Sequence, residues 1–290
     1  DAGIPEGAVN ALIGPGDILG PALIQHPLVR KVAFTGSTRT GVSVYRNCAE
    51  GLKKVSLELG GSLPMVVCSD CNLHEAVAGA VRRSFRNMGQ ICIAINRIYV
   101  EESVYEQFLE RFEQSTRRLT IGNGLVEDCD LGPMANETGL RRVQAHIEDA
   151  LSKGAGLVCG GTKPPGEKFR KGFFFEPTIL RDVNHEMLVM TEETFGPVVG
   201  VMPFKDLDEA IYLANDTDYG LAAIVYTQDL TTARRLALSI RAGNVAINNV
   251  DAGVINAPYG GWQKSGIGYE HGPEGLYEYL LAKHIRVRYI

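Results

Sequence analysis

Short apolar runs alternate with amphipathic stretches along the first sixty residues of the chain. Residues 29–34 and 54–59 are two such runs, and their pattern predicts two strands. Small and polar residues at 35–41 predict a turn that opens a helix reaching to about residue 50. A strand, a helix and a second strand in this order are typical of a βαβ unit in a parallel sheet.

The same alternation continues to the end of the chain. Further strands or extended segments are predicted at residues 65–68, 97–100, 173–180, 198–203, 244–248 and 284–290. Helices are predicted at residues 72–85, 103–119, 137–153, 207–215, 231–240 and 275–283. Asn72 is a candidate N-cap, with Glu75 at the capping-box position. The whole pattern predicts an α/β protein.

Composition and charge narrow the class of protein. The 290 residues are 45% apolar and 22% charged, as in a globular protein large enough for two domains. A net charge of -5 and a pI near 5.8 give no reason to expect a nucleic-acid partner. Apolar runs are interrupted before a membrane span could form, and no signal peptide opens the chain. We therefore expect neither nucleic acid nor membrane among its partners.

The six cysteines do not suggest a disulfide framework in a chain of this length. They predict reduced thiols, and therefore a cytoplasmic protein, although the mitochondrial matrix would give the same pattern. Cys68 and Cys71 have the spacing of half a zinc site, but no second pair follows. We therefore expect no metal.

The turn from Gly36 to Gly41 places small residues between a strand and a helix. Such a turn can bring backbone N–H groups and the positive end of a helix close to a phosphate. The spacing imitates a nucleotide-binding P-loop, but Val42 and Ser43 replace the Lys and Ser/Thr that should follow. A plain helix cap explains the same residues equally well, so the turn alone leaves both interpretations open.

Two residues are chemically unusual for their positions. Cys92 follows Gly89-Gln90-Ile91 in a polar loop, where nearby N–H donors can favour the thiolate. Composition alone does not select it, because most single cysteines are inert core residues. Glu58 interrupts the apolar strand 54–59 just before Gly60-Gly61. A carboxylate at the C-terminal end of a parallel strand lies where ligands bind, although an ion pair at a sheet edge is the alternative.

Seven short motifs, in order, resemble those of aldehyde dehydrogenases. They are Phe34-Thr35-Gly36-Ser37, Leu57-Glu58-Leu59-Gly60-Gly61, Gly89-Gln90-Ile91-Cys92 with Arg97, Glu192-Glu193-Thr194-Phe195-Gly196-Pro197, Tyr219-Gly220-Leu221, Gly243-Asn244 with Asn248, and Pro258-Tyr259-Gly260-Gly261 before Lys264-Ser265-Gly266. Each motif is weak alone, but their shared order and spacing identify the chain as similar to this family from Gly3 to its end.

The resemblance implies an aldehyde dehydrogenase-like α/β fold. Residues 1–59 would be the remainder of an incomplete Rossmann-type NAD(P)-binding domain, residues 60–260 a catalytic α/β domain, and residues 261–290 a return segment with an oligomerisation strand. An unpaired terminal strand is a liability in a monomer, so a homodimer or homotetramer is expected.

The resemblance also implies a reaction. Cys92 would attack an aldehyde carbonyl, hydride would pass to NAD or NADP, and water would hydrolyse the resulting thioester to the acid. Glu58 matches the general base, and the backbone N–H of Cys92 would be one donor to the oxyanion. Hydrolysis is favoured over transfer to coenzyme A, because members that make that transfer usually lack the base.

Other residues are placed by the same resemblance. Gly36, Ser37 and Gly41 match the turn at the cofactor pyrophosphate, while Leu59 and Gly60 would lie against the nicotinamide. Glu193 matches the ligand of the nicotinamide ribose, and Phe195 would pack near the ring. Residues 251–259, from Asp251 to Tyr259, would line the aldehyde tunnel. This segment contains no Arg or Lys, which slightly favours a small neutral or apolar aldehyde.

Two departures from the family pattern bear on function. Ser62 stands where many members carry Lys, and we expect only a local change. Family members are longer, and their N-terminal part supplies an oxyanion-hole Asn and the residues that bind the adenosine ribose. A non-catalytic fragment is therefore one alternative. A thiol hydrolase built on Cys92 is another, but none of the six His residues lies in a recognisable motif.

Overall fold

A seven-stranded, mostly parallel sheet forms the centre of the computed structural model, which describes residues 3–289. Its strands are β3 (Leu63–Val67), β4 (Ile95–Glu101), β5 (Gly156–Cys159), β6 (Thr178–Arg181), β7 (Val198–Phe204), β9 (Ala222–Tyr226) and β10 (Asn244–Ile247), in the order β10-β9-β3-β4-β7-β6-β5. Only β5 runs antiparallel to its neighbour, β6. Every residue of β3 and β9 is buried, as expected for central strands covered on both faces.

A separate three-stranded sheet combines two strands from the first sixty residues with a short strand at residues 266–267. Strands β1 (Lys31–Thr35) and β2 (Lys54–Glu58) are parallel, and β12 (Gly266–Ile267) adds to β2 antiparallel. A small third sheet pairs β8 (Tyr219–Gly220) with β11 (Trp262–Gln263). The α/β fold predicted from the sequence is therefore confirmed. The boundaries proposed at residues 59 and 260 stay predictions.

The helices surround these sheets. Within the described residues they are α1 (Gly16–Gln25), α2 (Thr38–Glu50), α3 (Leu73–Phe85), α4 (Tyr105–Thr116), α5 (Glu137–Ser152), α6 (Leu188–Thr191), α7 (Leu207–Asn215), α8 (Leu230–Ser239) and α9 (Gly272–Tyr277). The cap predicted at Asn72 is confirmed, since its side chain accepts a hydrogen bond from the Glu75 N–H. Where α3 and α4 pack together, Phe85 stacks on Phe112, and Phe108 is tilted against Phe112.

The C-terminal predictions were wrong in detail. The helix expected at residues 275–283 is α9, which begins at Gly272 and has Pro273 in its first turn. No strand forms between residue 284 and residue 289, and Ile290 lies outside the described residues. A strand is defined by hydrogen bonds to a neighbour, and this segment has no neighbouring strand among residues 3–289. The sequence pattern also missed α1, β9 and the two-residue strands.

Candidate active site

Glu58 ends β2 and begins a loop that crosses to the central sheet. Its side chain is only 6% exposed, and its Oε2 has no hydrogen-bond partner among the described residues. Burial raises the pKa of Glu58 to about 8, and the charge of Glu270 adds to the rise. A carboxyl group with this pKa is mostly protonated at pH 7, and it becomes able to accept a proton as the pH rises through about 8. Glu270 was not identified from the sequence pattern.

The loop that carries Cys92 has an unusual backbone. After α3 ends, Asn87 and Met88 both adopt the left-handed conformation, and so does Gly89. A Cβ at Gly89 would collide with the carbonyl of Gly196, so only glycine allows this close approach. Asn87 and Gln90 each donate a side-chain N–H to the backbone carbonyl of the other. The loop therefore has one defined shape just before Cys92.

The thiol of Cys92 is partly exposed and lies in an electrostatically negative environment. Burial, followed by the charges of Glu58 and Glu193, raises its pKa, while the backbone N–H groups of Cys92 and Ile93 act in the opposite direction. The resting group is therefore a thiol that needs a base to become a nucleophile. Glu58 is the first of the two carboxylates whose charges act on this thiol.

Four of the other five cysteines are poorly suited to act as a nucleophile. Cys48, Cys68 and Cys159 are buried, and burial and Asp70 raise the pKa of Cys71 to about 11. Between residues 3 and 289, no group of three or more His, Cys, Asp or Glu side chains could hold a metal ion.

Glu193 lies against the glycine pair that follows Glu58. The N–H of Gly61 donates to its Oε1 at 3.1 Å, and a Cβ at Gly60 would overlap its carboxylate. Desolvation by burial raises the pKa of Glu193. Phe195, two residues later, has a φ of 51° and leaves about a third of its side chain exposed. Glycine at position 60 thus lets this carboxylate reach the loop after Glu58.

The predicted pyrophosphate turn has the structure of a helix cap. The Ser37 side chain accepts a hydrogen bond from the Thr40 N–H at the start of α2. Gly36 donates its N–H to the Glu58 carbonyl at 3.1 Å, which fixes the turn beside Glu58. Gly41 is buried against Leu59, whose side chain fills the space of a Cβ. The structure is compatible with both a plain helix cap and a phosphate site, because a capped helix still presents its N-terminus to solvent.

The two residues expected to line the aldehyde tunnel lie in different surroundings. Burial, followed by the charges of Cys92 and Glu58, raises the pKa of Tyr259, so its phenol lies in the neighbourhood of Cys92. Asp251 instead forms ion pairs with Arg82, at 3.1 Å, and with the buried Arg83. Residues 251–259 contain no Arg or Lys, but Arg82 and Arg83 of α3 supply positive charge beside Asp251.

Ser265 is a residue whose role sequence reasoning missed. Its hydroxyl donates to the Gly60 carbonyl at 2.7 Å, and its carbonyl accepts from the Leu59 N–H at 2.8 Å. The Gly220 N–H donates in turn to the hydroxyl at 3.0 Å. Ser265 belongs to a motif noted in the sequence, but only the fold brings it to the loop after Glu58.

The comparisons with known proteins agree on one family. The model of the aldehyde dehydrogenase family matches residues 1–285. The chain is 44% identical over 287 residues to the Escherichia coli succinate-semialdehyde dehydrogenase [NADP(+)] GabD, covering 98% of this chain and 58% of that protein. It is 42% identical to the 3-sulfolactaldehyde dehydrogenase of Pseudomonas putida, with coverage of 98% and 58%.

Solved structures give the same result. An Escherichia coli NADP-dependent enzyme superposes with a TM-score of 0.92 at 43% identity, over 96% of this chain and 57% of that one. The betaine aldehyde dehydrogenase of Staphylococcus aureus in complex with NAD+ superposes with a TM-score of 0.94 at 36% identity, over 98% and 56%.

The chain thus spans less than two thirds of the length of these relatives. No helix among residues 3–289 is long and apolar enough to cross a membrane. The family match covers nearly the entire chain and agrees with the motifs, the fold and the convergence of Cys92, Glu58 and Glu193. The chain belongs to the aldehyde dehydrogenase family.

Proposed function

We propose that the protein oxidises an aldehyde to the carboxylic acid with NAD+ or NADP+, using Cys92 as nucleophile and Glu58 as general base. The observation that carries this proposal is the convergence of Cys92, Glu58 and Glu193 from three separate segments, so that both carboxylates raise the pKa of the thiol. A nucleophile beside a base of raised pKa is the arrangement that covalent catalysis needs.

The chain's own residues perform the proton transfers. Glu58 accepts the thiol proton, and Cys92 Sγ bonds to the aldehyde carbon to give a thiohemiacetal whose oxyanion faces the Cys92 N–H. When bound, the nicotinamide supplies the acceptor for the hydride, which leaves a thioester on Cys92. Glu58, once free of its proton, accepts one from a water molecule that attacks the thioester. The acid leaves and Cys92 is regenerated.

The residues present suit a nicotinamide cofactor. Glu193 uses Oε1 to accept from Gly61, which leaves Oε2 for a ribose hydroxyl. The capped N-terminus of α2 presents N–H groups suited to a phosphate, and Gly36 links it to Glu58. Two relatives support either cofactor, since one is named for NADP(+) and another was solved with NAD+.

The test is turnover by the full-length protein with NAD+ or NADP+ and a panel of aldehydes, followed by the absorbance of the reduced cofactor. Reduced cofactor formed with at least one aldehyde supports the proposal. If no aldehyde yields any, the non-catalytic alternative replaces it.

The charges near the expected tunnel suggest the class of aldehyde. Arg82, Arg83 and Arg86 lie together at the end of α3, and Asp251 is the carboxylate that pairs with two of them. The excess positive charge favours an aldehyde with a carboxylate or sulfonate at its far end. Three relatives are named for succinate semialdehyde, glutarate semialdehyde and 3-sulfolactaldehyde, and each of these aldehydes carries a carboxylate or a sulfonate. We therefore prefer an anionic aldehyde to the neutral one that residues 251–259 alone favoured.

Arg86 provides the first test of this preference, because it is exposed and forms no ion pair with a described residue. We expect Arg86→Ala to raise KM for succinate semialdehyde about 10-fold or more, the value of one lost charge-assisted hydrogen bond. KM for butanal should stay the same. Arg141→Ala, which removes an exposed cation paired with Glu137 on α5, is the control. Equal effects on both aldehydes would contradict an anion site at Arg86.

The terminal segment supports a homodimer or homotetramer. Ile285, Val287 and Tyr289 alternate with Arg286 and Arg288, and all are exposed. Alternation of this kind is typical of a strand with one apolar face, and it requires a partner. We expect deletion of residues 284–290 to lower the mass measured by light scattering to that of a smaller assembly. An unchanged mass would refute this role.

We place the reaction in the cytoplasm, with the mitochondrial matrix as the alternative.

A further inference from the structure

Residues 59–62 form the loop that connects β2, which ends at Glu58, to the central sheet. Residues from distant parts of the chain form hydrogen bonds to this loop. Ser265 binds Leu59 and Gly60, and Glu193 binds Gly61. The last position, Ser62, is held through its carbonyl by Arg97, whose Nε and Nη2 donate at 3.1 and 2.8 Å. The location of the Glu58 carboxyl therefore depends on how firmly these groups hold the loop.

Arg97 is a fully buried cation on β4, five positions after Cys92. Its other N–H groups donate to the carbonyls of Leu213 and Ala214, both at 3.3 Å, and to the Tyr99 hydroxyl at 2.9 Å. Within residues 3–289 it has no carboxylate within ion-pair distance. Since a buried charge needs compensation, its hydrogen bonds must be well oriented.

A chain of hydrogen bonds joins Arg97 to a carboxylate at the surface. The Tyr99 hydroxyl accepts from Arg97, so its own proton is donated to His185 Nε2 at 3.0 Å. His185 then carries its proton on Nδ1, which donates to Asp216 Oδ2 at 2.6 Å. Burial lowers the pKa of His185, in keeping with a neutral ring. The Asp216 side chain is half exposed. Each donor in this series of hydrogen bonds, from Arg97 through Tyr99 and His185 to Asp216, has one acceptor. The series thereby fixes the orientation of the Arg97 guanidinium.

We propose that Arg97 is a positioning residue for the base: it fixes the Ser62 carbonyl, and thus the loop bearing Glu58, while Tyr99, His185 and Asp216 orient its guanidinium. This inference rests on the proposed role of Glu58. It also assigns a reason for an arginine that is buried beside the loop without a carboxylate partner.

The measurable consequence follows from the burial of Glu58. Its pKa is high chiefly because water is kept away from the carboxyl group. When the hold on Ser62 loosens, water reaches the carboxyl group and its pKa falls toward the ordinary value. The distance to Cys92 also becomes less well defined, and a misplacement of about 1 Å can cost about 100-fold in rate.

The test compares Tyr99→Phe with Tyr105→Phe in the full-length protein. Tyr105 is a buried tyrosine whose hydroxyl donates to the Val201 carbonyl at 3.3 Å, outside the chain that leads to Arg97. Tyr99→Phe loses two hydrogen bonds and Tyr105→Phe loses one, so the melting temperature should fall in both variants and further in Tyr99→Phe. For each variant we would measure kcat and, without any cofactor, the pH dependence of Cys92 alkylation by iodoacetamide.

Tyr99→Phe should lower kcat about 10-fold and move the alkylation midpoint assigned to Glu58 down by about one pH unit or more. Tyr105→Phe should leave both unchanged. Arg97→Lys should shift the profile in the same direction and by a larger amount if it folds. A Tyr99→Phe protein with a lower melting temperature but a wild-type profile would overturn the positioning role.

Glu58→Gln separates this failure from failure of the proposed function. If that variant loses the alkylation midpoint while Tyr99→Phe keeps it, only the positioning role of Arg97 is wrong. If Glu58→Gln keeps the midpoint, Glu58 is not the base, and both inferences fall together.

Discussion

Cys92→Ala should lower kcat for aldehyde oxidation about 10⁴-fold or more, since it removes the thiol proposed to form the covalent intermediate. The fold should tolerate the change, because Cys92 is partly exposed in a loop and its side chain forms no structural hydrogen bond in the described chain. Formation of reduced cofactor measures the loss. Far-UV circular dichroism and thermal unfolding establish that the variant is folded.

Cys71→Ala is the matched control for this result. Cys71 is also partly buried, but burial and Asp70 raise its pKa to about 11, and it lies beyond β3 rather than beside Glu58. Its replacement should change kcat by less than about two-fold, as for a typical substitution away from the chemistry. Turnover that survived Cys92→Ala and vanished with Cys71→Ala would reassign the nucleophile.

Glu58→Gln should lower kcat by about 10²–10⁴-fold, the usual contribution of a general base. Glutamine keeps the size and polarity of the side chain but cannot accept a proton. The wild-type rate should rise with pH through about 8, because only the ionised form of Glu58 acts as a base. The variant should lose this limb of the profile. Glu270→Gln, which removes the second cause of the raised pKa, should instead move the limb to lower pH.

Glu58→Gln should also stabilise the folded protein at alkaline pH. In the unfolded chain Glu58 ionises near its ordinary value of 4.5, whereas in the folded chain it ionises near 8. Between these values the folded state binds more protons, so stability falls as pH rises and is lowest above pH 8. Glu58→Gln removes this penalty and should raise the free energy of unfolding by about 2–4 kcal/mol at pH 9, as measured with urea. A variant no more stable than wild type there would show that Glu58 is not buried as described.

Much of the fold was predictable where the sequence repeats a strong local signal. The strand predicted at residues 54–59 is observed as Lys54–Glu58, and the helix predicted at 72–85 as Leu73–Phe85. Both have clear periodicity, and the helix has a capping residue. Helix α1 was missed because it contains Pro21 and is weakly amphipathic. Strand β12 has two residues, too few for any period to appear.

The candidate site was predictable only as far as its motifs extend. Cys92, Glu58 and Glu193 stand in motifs that can be recognised one by one. The hydrogen bond from Ser265 to Gly60, by contrast, joins residues 205 positions apart, and that from Arg97 to Ser62 joins residues 35 apart. No local pattern encodes such contacts. The ion pairs of Asp251 with Arg82 and Arg83 were missed for the same reason, and with them the charge of the expected tunnel.

Glu58 and Cys92 are positioned by different sheets, and this division limits how the protein can be recombined with its relatives. Glu58 ends a strand of the three-stranded sheet, whereas Cys92 precedes β4 of the seven-stranded sheet. A chimaera with its junction in residues 59–62 would combine one parent's base with the other's nucleophile and Arg97. A junction in the exposed loop at residues 123–128 would inherit all three from a single parent. Libraries of hybrid enzymes should therefore yield more active members from the second junction than from the first.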